Sequence, residues 1–569
     1  MGASARVRWE SRLLLVIISI ALFAGLPANA TVASPLPVDA STGAESSTQA
    51  QIRSLINSGR LAILRWPDFG GVRGQVAEFY ADGAYWLAWI RNGRPTPQAL
   101  AMIRLFKQAA FKGLDPEDYD ASRWSARIAT IERPGGINAA HFDLALTVCA
   151  IRYISALEVG RVNPHHIEFA PIGPAHYDLA HLLRNSVINA QEVSAALAKV
   201  EPDYAGYKRA EAALKVYIKL AREGDTPPLP TPKRSVHPGG TYPSLPLLVQ
   251  RLHQLGDLPP SVKPAVQPPV YKGAVVDAVR HFQRRHGLEI DGVIGRNTVA
   301  ALNTPLSHRV RQLDFTLERY RWIPRSFPQP PIVINIPEFR LRTMRRQPAP
   351  FLSMKVVVGK AYGHHTPVFA GLMRYVIFRP YWNVPLSIQR AELVPKIRRN
   401  PDYLAENGYE VVNHSQEVIT AGRVSSAILA ALRSGELEIR QRPGPKNALG
   451  LVKFIFPNDY SVYLHGTPVT ELFSHARRDF SHGCIRVEHP AALALWVLRN
   501  NPGWTEDRIR AAMEGDKTLK VNLTKPIPVL ILYSTAVVEP DGEVYFFRDI
   551  YDSDARLEQK LAEGYPYPH

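Results

Sequence analysis

A thiol, several imidazoles and a glycine crowd the stretch Ser461 to Pro490, SVYLHGTPVTELFSHARRDFSHGCIRVEHP. Cys484, one of only 2 cysteines in the chain, follows Ser481, His482 and Gly483, and His465 lies upstream at the end of an apolar run. Free cysteine titrates near ~8.5, so little of it is thiolate at neutral pH and a nearby base is needed to make it a nucleophile. An imidazole can supply that. Lowering a thiol pKa by about two units corresponds to roughly 2.7 kcal/mol of preferential thiolate stabilisation, a load that one His contact and nearby backbone amides can carry.

Residue types alone leave two other uses open. The first is a packed core cysteine, since free Cys is among the most buried residue types. Gly483 with polar Ser481, His482 and Arg486 argues against it, because an inert core strand would be filled with aliphatics. The second is zinc, for which His465, His475, His482, Cys484 and His489 are all conceivable ligands. There is no C-x-x-C pair and no H-E-x-x-H, and the spacings suit no common site, so no metal is expected.

His465-Gly466-Thr467-Pro468 followed by Ser481-His482-Gly483-Cys484-Ile485-Arg486-Val487 resembles the active-site signature of the L,D-transpeptidases, the YkuD family. The stretch Pro380 to Ile388, Arg442-Pro443-Gly444 and Phe454 to Asn458 resemble the large periplasmic, YcbB-like branch of that family. The resemblance implies that Cys484 is the nucleophile, that His465 is the general base and acid, and that His482 and Gly483 shape the turn presenting the thiol. Amides near Gly483 and Cys484 would hold the oxyanion, and a carbonyl near Gly466 would orient His465, since the motif brings no carboxylate. It further implies a thioester on the third residue of a peptidoglycan stem peptide, release of D-alanine, and transfer to an amine of a neighbouring stem without a cofactor. Arg486 departs from the smaller members, which usually carry Asn there. Arg486, Arg478 and Arg477 are candidates for gripping stem carboxylates, and Trp382 and Tyr381 for contacting substrate. For Arg486 a role in bracing the loop, for Arg477 and Arg478 a solvated basic loop, and for Trp382 a buried aromatic remain open. The same thiol and base would serve an L,D-carboxypeptidase or another wall hydrolase, and a non-catalytic wall-binding protein is the third reading.

The elements that must position these residues follow from the rest of the chain. At 569 residues it exceeds a single core, and its 46% hydrophobic content is that of globular protein. The expected class is multidomain α+β. A formal net charge of +17 favours a polyanionic partner. Arg6, Arg8 and Arg12 precede the apolar run Leu13 to Leu26 and the small-x-small site Ala28-Asn29-Ala30, so 1–30 reads as a secretory signal cleaved near Ala30. Retention as an inner-membrane anchor is the alternative, although the apolar run is shorter than the ~20 residues of a spanning helix. Export makes nucleic acid an unsuitable partner and directs the charge to peptidoglycan, with proximity to the membrane face and to other wall synthases.

Residues 31–50, rich in Ala, Ser, Thr, Pro and Gly, read as a disordered tether. A helical scaffold is expected over 51–223. There Leu100, Ile103, Phe106 and Ala110 recur at helical spacing, Gly113 stops the element, and Asn189 with Glu192 forms a capping box for a helix through Lys199. The apolar run Asn138 to Val159 holds Asp143 and Arg152, which mark it as a buried domain helix. Cys149 within it reads as a small core hydrophobe, and a disulfide to Cys484 would block the nucleophile. Residues 224–243 form a Pro-rich linker. A three-helix module at 244–305, with Leu247, Leu248, Leu252 and Leu255 on one helix and Val275, Val276, Val279 and Phe282 on the next, resembles a peptidoglycan-binding domain; a mere packing unit is its alternative. Residues 306–331 read as a connection. From Ile332 the pattern turns to β, giving a catalytic domain over 332–540 with a cap inserted at about 386–449, helix-like at Ser426 to Arg433 and Glu436 to Gln441. Residues 541–569 complete the chain as a strand and tail.

Overall fold

The computed structural model describes residues 47–131, 138–164, 169–170, 178–263, 268–343, 351–565 and 567. The expected signal segment and the tether up to 46 lie outside them. The last part of that tether is not disordered: Ser47–Ser58 is a helix, with Ile52 and Ile56 buried. Among the described residues no helix is long and apolar enough to cross a membrane.

The helical domain is built around Ala139–Val159, started by the Asn138 side chain accepting from the Ala140 amide. It is apolar nearly all round and therefore buried nearly all round. Its charges are satisfied in place. Asp143 accepts from the Tyr80 hydroxyl at 2.6 Å and the Trp89 amide at 2.7 Å, and Arg152 donates to the Trp66 and Asp68 carbonyls. Cys149 sits fully buried in this core, a free thiol pushed far above its ordinary pKa by burial. The helix Pro97–Lys107 begins where Thr96 accepts from the Ala99 amide. Ile103 and Phe106 face inward, but Leu100 faces solvent, and Ala110 falls in a separate 3-10 turn stopped by Gly113 at φ +68°. The expected capping box does not form. Glu192 is itself the N-cap of the short helix Val193–Leu197, and its side chain accepts no amide.

The Pro-rich stretch 224–243 is not a free linker, because it is packed into the module that follows. Leu229 and Tyr242 are buried in the module's core, Leu229 exchanges two hydrogen bonds with Asn303, and Val236 exchanges two with Ile294. The module's helices are Leu245–Gln254, Ala274–Arg285 and Arg296–Leu302.

The supposed connection at 306–331 opens with a charged, largely buried helix, Leu306–Arg321. Several of its buried charges are paired. Glu318 accepts from the Val162 amide at 3.1 Å and pairs with Arg161 and Arg321, while Arg319 pairs with Asp554. Gln312 donates to the Phe547 carbonyl at 3.0 Å. One helix thus joins the helical domain to the C-terminal segment.

The β region is a closed ring of strands. Val452–Ile455, Leu464–His465, Ile485–Val487, Ser353–Gly359, Arg340–Thr343, Ile332–Asn335, Leu519–Leu532 and Val368–Phe378 pair in that order, and the last pairs back to the first. Closure removes the exposed edges that an open sheet would carry. Phe169–Ala170 of the helical domain adds in parallel to Val368–Phe378. Between Val368–Phe378 and Val452–Ile455 the chain leaves the barrel to make the cap. This has its own four-stranded sheet, Trp382–Asn383, Tyr409–Val412, Val418–Thr420 and Glu438–Gln441, and its own small core including Val394, Ile397, Leu404 and Ile439. Ser426–Ser434 is helical as expected, but Glu438–Gln441 is a strand whose Ile439 points into that core. The cap also begins earlier than expected, at Trp382. Val544–Phe546 does not close the barrel; it pairs with Ala536–Val538 in a separate ribbon against the helix Ala205–Glu223. The tail adds a helix, Ser553–Ala562, and the Tyr567 hydroxyl donates to Asp118.

Candidate active site

The strands Leu464–His465 and Ile485–Val487 run parallel, with Leu464 opposite Ile485 and His465 opposite Arg486. Leu464 and Ile485 are fully buried in the barrel core. Continuing the strand alternation by one residue places Tyr463 and His465 on one side of their strand and Cys484 and Arg486 on the same side of its neighbour, bringing residues about twenty positions apart together. Gly450, where the chain returns from the cap, packs against the turn after His465. At φ +64°, a Cβ there would lie 2.6 Å from the Thr467 amide nitrogen, which only glycine avoids.

His465 is 4% exposed, and its Nδ1 lies 2.5 Å from the Gly466 carbonyl oxygen. A carbonyl only accepts, so Nδ1 carries the proton and Nε2 is the nitrogen with a lone pair. Burial and the Arg486 cation push the His465 pKa down to about 3, so the imidazole is neutral at physiological pH. The Cys484 thiol donates to the Ser461 carbonyl at 3.7 Å, and burial raises its pKa. Opposing that rise, Tyr463, Lys453 and Arg486 all favour the thiolate. The resting pair is therefore neutral thiol and neutral imidazole beside two cations. Arg486 has a buried Nε with no hydrogen-bond partner among the described residues.

The turn before Cys484 is knitted by hydroxyls. Gly483, at φ +112°, donates its amide to Ser481 Oγ at 3.1 Å, and Ser481 Oγ donates to the Cys484 carbonyl at 2.5 Å. The Gly483 carbonyl accepts from Thr366 Oγ1 at 2.7 Å. The expectation that the Gly483 amide holds an oxyanion is thereby corrected, because that N–H is already used inside the turn. His482 faces the cap, its Nε2 lying 2.6 Å from Glu392 Oε1 and its ring edge-on to His364 at 4.7 Å. The other histidines considered as zinc ligands have separate neighbours: His475 lies against Phe480 and His489 beside Glu488.

Arg478 is not placed to grip a substrate. It is buried, donates to the Val356, Phe339 and Ala476 carbonyls, and lies over the Phe339 ring. Arg477 is paired with Asp479 at 2.6 Å. Trp382 packs on the cap core near Tyr409, and Tyr381 is half-exposed beneath the Arg440 guanidinium at 4.5 Å. A cavity of about 310 Å³ adjoins the turn, lined by His365, Thr366, Tyr460, His482, Gly483 and Arg556 among others. Thr366, Glu392 and Tyr463 escaped the sequence reading. Only Tyr463 had a signal, standing two residues before His465 on the same strand face.

The β barrel holds Cys484 one residue ahead of strand Ile485–Val487 and His465 on the parallel neighbouring strand, next to an inserted cap, residue types that thiol acyl-transfer chemistry can use. Residues 329–521 match the YkuD family, the L,D-transpeptidase catalytic domain. Residues 74–214 match a scaffold domain family, and residues 241–302 match the family described as "Putative peptidoglycan binding domain". The chain is also 31% identical over 257 residues to a Haemophilus influenzae protein named "Putative L,D-transpeptidase", a stretch covering 45% of this chain and 50% of that relative. Separate stretches of the chain are thus similar to a YkuD-type L,D-transpeptidase catalytic domain, a scaffold domain and a peptidoglycan-binding domain.

Proposed function

We propose that the protein is a cysteine-dependent L,D-transpeptidase that crosslinks peptidoglycan stem peptides. The observation that carries this reading is that Cys484 immediately precedes strand Ile485–Val487, the parallel neighbour of the strand ending in His465, inside the matched stretch. His465 Nε2 takes the Sγ proton, and the thiolate attacks the carbonyl carbon of the third stem residue. The bond to the terminal D-alanine breaks, its amine leaves with the proton from His465, and a thioester remains on Cys484. An amine of a neighbouring stem then attacks the thioester, gives its proton to His465, and the thiol is restored. General acid–base help of this kind contributes roughly 10²–10⁴-fold.

Arg486 gives the site a way to respond to substrate. Burial is the largest reason the His465 pKa is so low, and the Arg486 cation is the next. A stem carboxylate paired with Arg486 screens that charge and makes the imidazole a stronger base when substrate is present. The charge of +17, the binding module and the expected signal segment fit an exported, periplasmic enzyme acting on the wall.

Incubation with disaccharide-tetrapeptides tests the reading. Crosslinked dimers with loss of D-alanine are expected; tripeptide monomers alone would make the enzyme an L,D-carboxypeptidase instead.

A further inference from the structure

We infer that Thr366, outside the signature, is a positioning residue that aims the Cys484 amide as the oxyanion donor. This rests on the acyl-transfer reading and deepens it. In a planar trans peptide the carbonyl and the following N–H point in opposite directions. The Gly483–Cys484 peptide is fixed at its carbonyl end by Thr366 Oγ1 at 2.7 Å, so its N–H end, the Cys484 amide, is directed away from Thr366. Among the described residues no acceptor takes that N–H. Its neighbour, the Gly483 amide, is occupied by Ser481 Oγ. One donor of the turn is spent and one is held ready.

The Thr366 hydroxyl has no rotational freedom to spare. It accepts from the Gly359 amide at 2.8 Å, so its single proton goes to the Gly483 carbonyl. Thr366 is buried, and its own amide donates to the Tyr551 hydroxyl at 3.3 Å, which in turn donates to the Gly359 carbonyl at 2.6 Å. Gly359 closes the arrangement, since a Cβ there would fall 1.9 Å from the His364 carbonyl oxygen. Two distant parts of the chain therefore fix one peptide plane: the segment from the end of strand Ser353–Gly359 to Thr366, and Tyr551 near the C-terminus. A prepositioned donor pays no reorganisation as negative charge develops on the carbonyl oxygen, and losing one such donor costs roughly 10²–10³-fold in rate.

The test compares two reactions of the same sulfur. Acylation by a tetrapeptide or a carbapenem passes through an oxyanion, whereas alkylation by iodoacetamide does not. Thr366→Val should lower the acylation rate roughly 10- to 100-fold while the acylation-to-alkylation ratio falls by the same factor. Thr366→Ser, which keeps the hydroxyl, should restore most of the ratio, and both rates are counted per alkylatable thiol so that partial unfolding cancels. If Thr366→Val does not fold, Tyr551→Phe gives the milder perturbation and should lower the ratio a few-fold. An unchanged ratio in the folded variants overturns the inference. Wild-type protein that alkylates but acylates with neither reagent overturns the proposed function instead.

Discussion

The barrel and the cap are held by different means, and the active site lies where the two meet. Around the barrel every strand is paired on both sides, and Leu464, Ile485, Val356 and Val487 fill the interior behind the catalytic face. The cap has a small core of its own and reaches the catalytic turn through a half-exposed pair, Glu392 with His482, and through the tight return at Gly450. On the proposed function, the chemistry sits on the closed barrel and the cap that borders it is the more lightly held part. The difference can be broken or sharpened at named residues.

The largest effects belong to the barrel face. Cys484→Ala should abolish acyl-enzyme, and His465→Ala should slow acylation by roughly 10²–10⁴-fold, measured by intact mass against time. Next comes the junction. Gly450→Ala meets the Thr467 amide and holds a left-handed conformation, so it should cost roughly 1–3 kcal/mol of stability and displace the His465 turn, seen as a lower melting temperature and slower acylation.

The pH dependence separates the site from an ordinary imidazole. His465 is already neutral well below physiological pH and the thiol titrates above its usual value, so alkylation should climb about tenfold per pH unit through neutrality with no step near ~6.5. The linkage sign agrees: a depressed folded-state pKa means the unfolded chain takes up the proton first. The contribution of His465 to stability is therefore present above pH ~6.5 and lost as pH falls towards 3. The smallest effect is on the cap. Glu392→Ala removes a pair worth ~0.2–1 kcal/mol, so substrate KM should rise at most about fivefold, with faster proteolysis within 382–449 and little change in alkylation.

What was legible in the sequence followed from residue types with few alternative uses. A lone cysteine beside a glycine, a histidine ending an apolar strand, and β-branched runs such as Ile332 to Ile336 point to their places directly. Helix Leu306–Arg321 was not legible, because its arginines and Glu318 look solvated until Arg161 and Asp554 arrive from elsewhere in the chain. The 224–243 stretch misled in the same way: its prolines suggest a spacer, while Leu229 and Tyr242 find their core only in three dimensions. Arg478 looked like a substrate grip because the carbonyls of Val356 and Phe339 that claim it are more than a hundred residues away. Thr366 had no local signal at all, since its role depends on Gly359 and Gly483 meeting across the barrel wall.

The most direct measurement is peptide mapping of the protein after brief exposure to a tetrapeptide stem. The account predicts a thioester-linked tripeptide on Cys484, absent from Cys484→Ala and strongly delayed in His465→Ala. A modification carried by any other residue, or one that survives in Cys484→Ala, would contradict it.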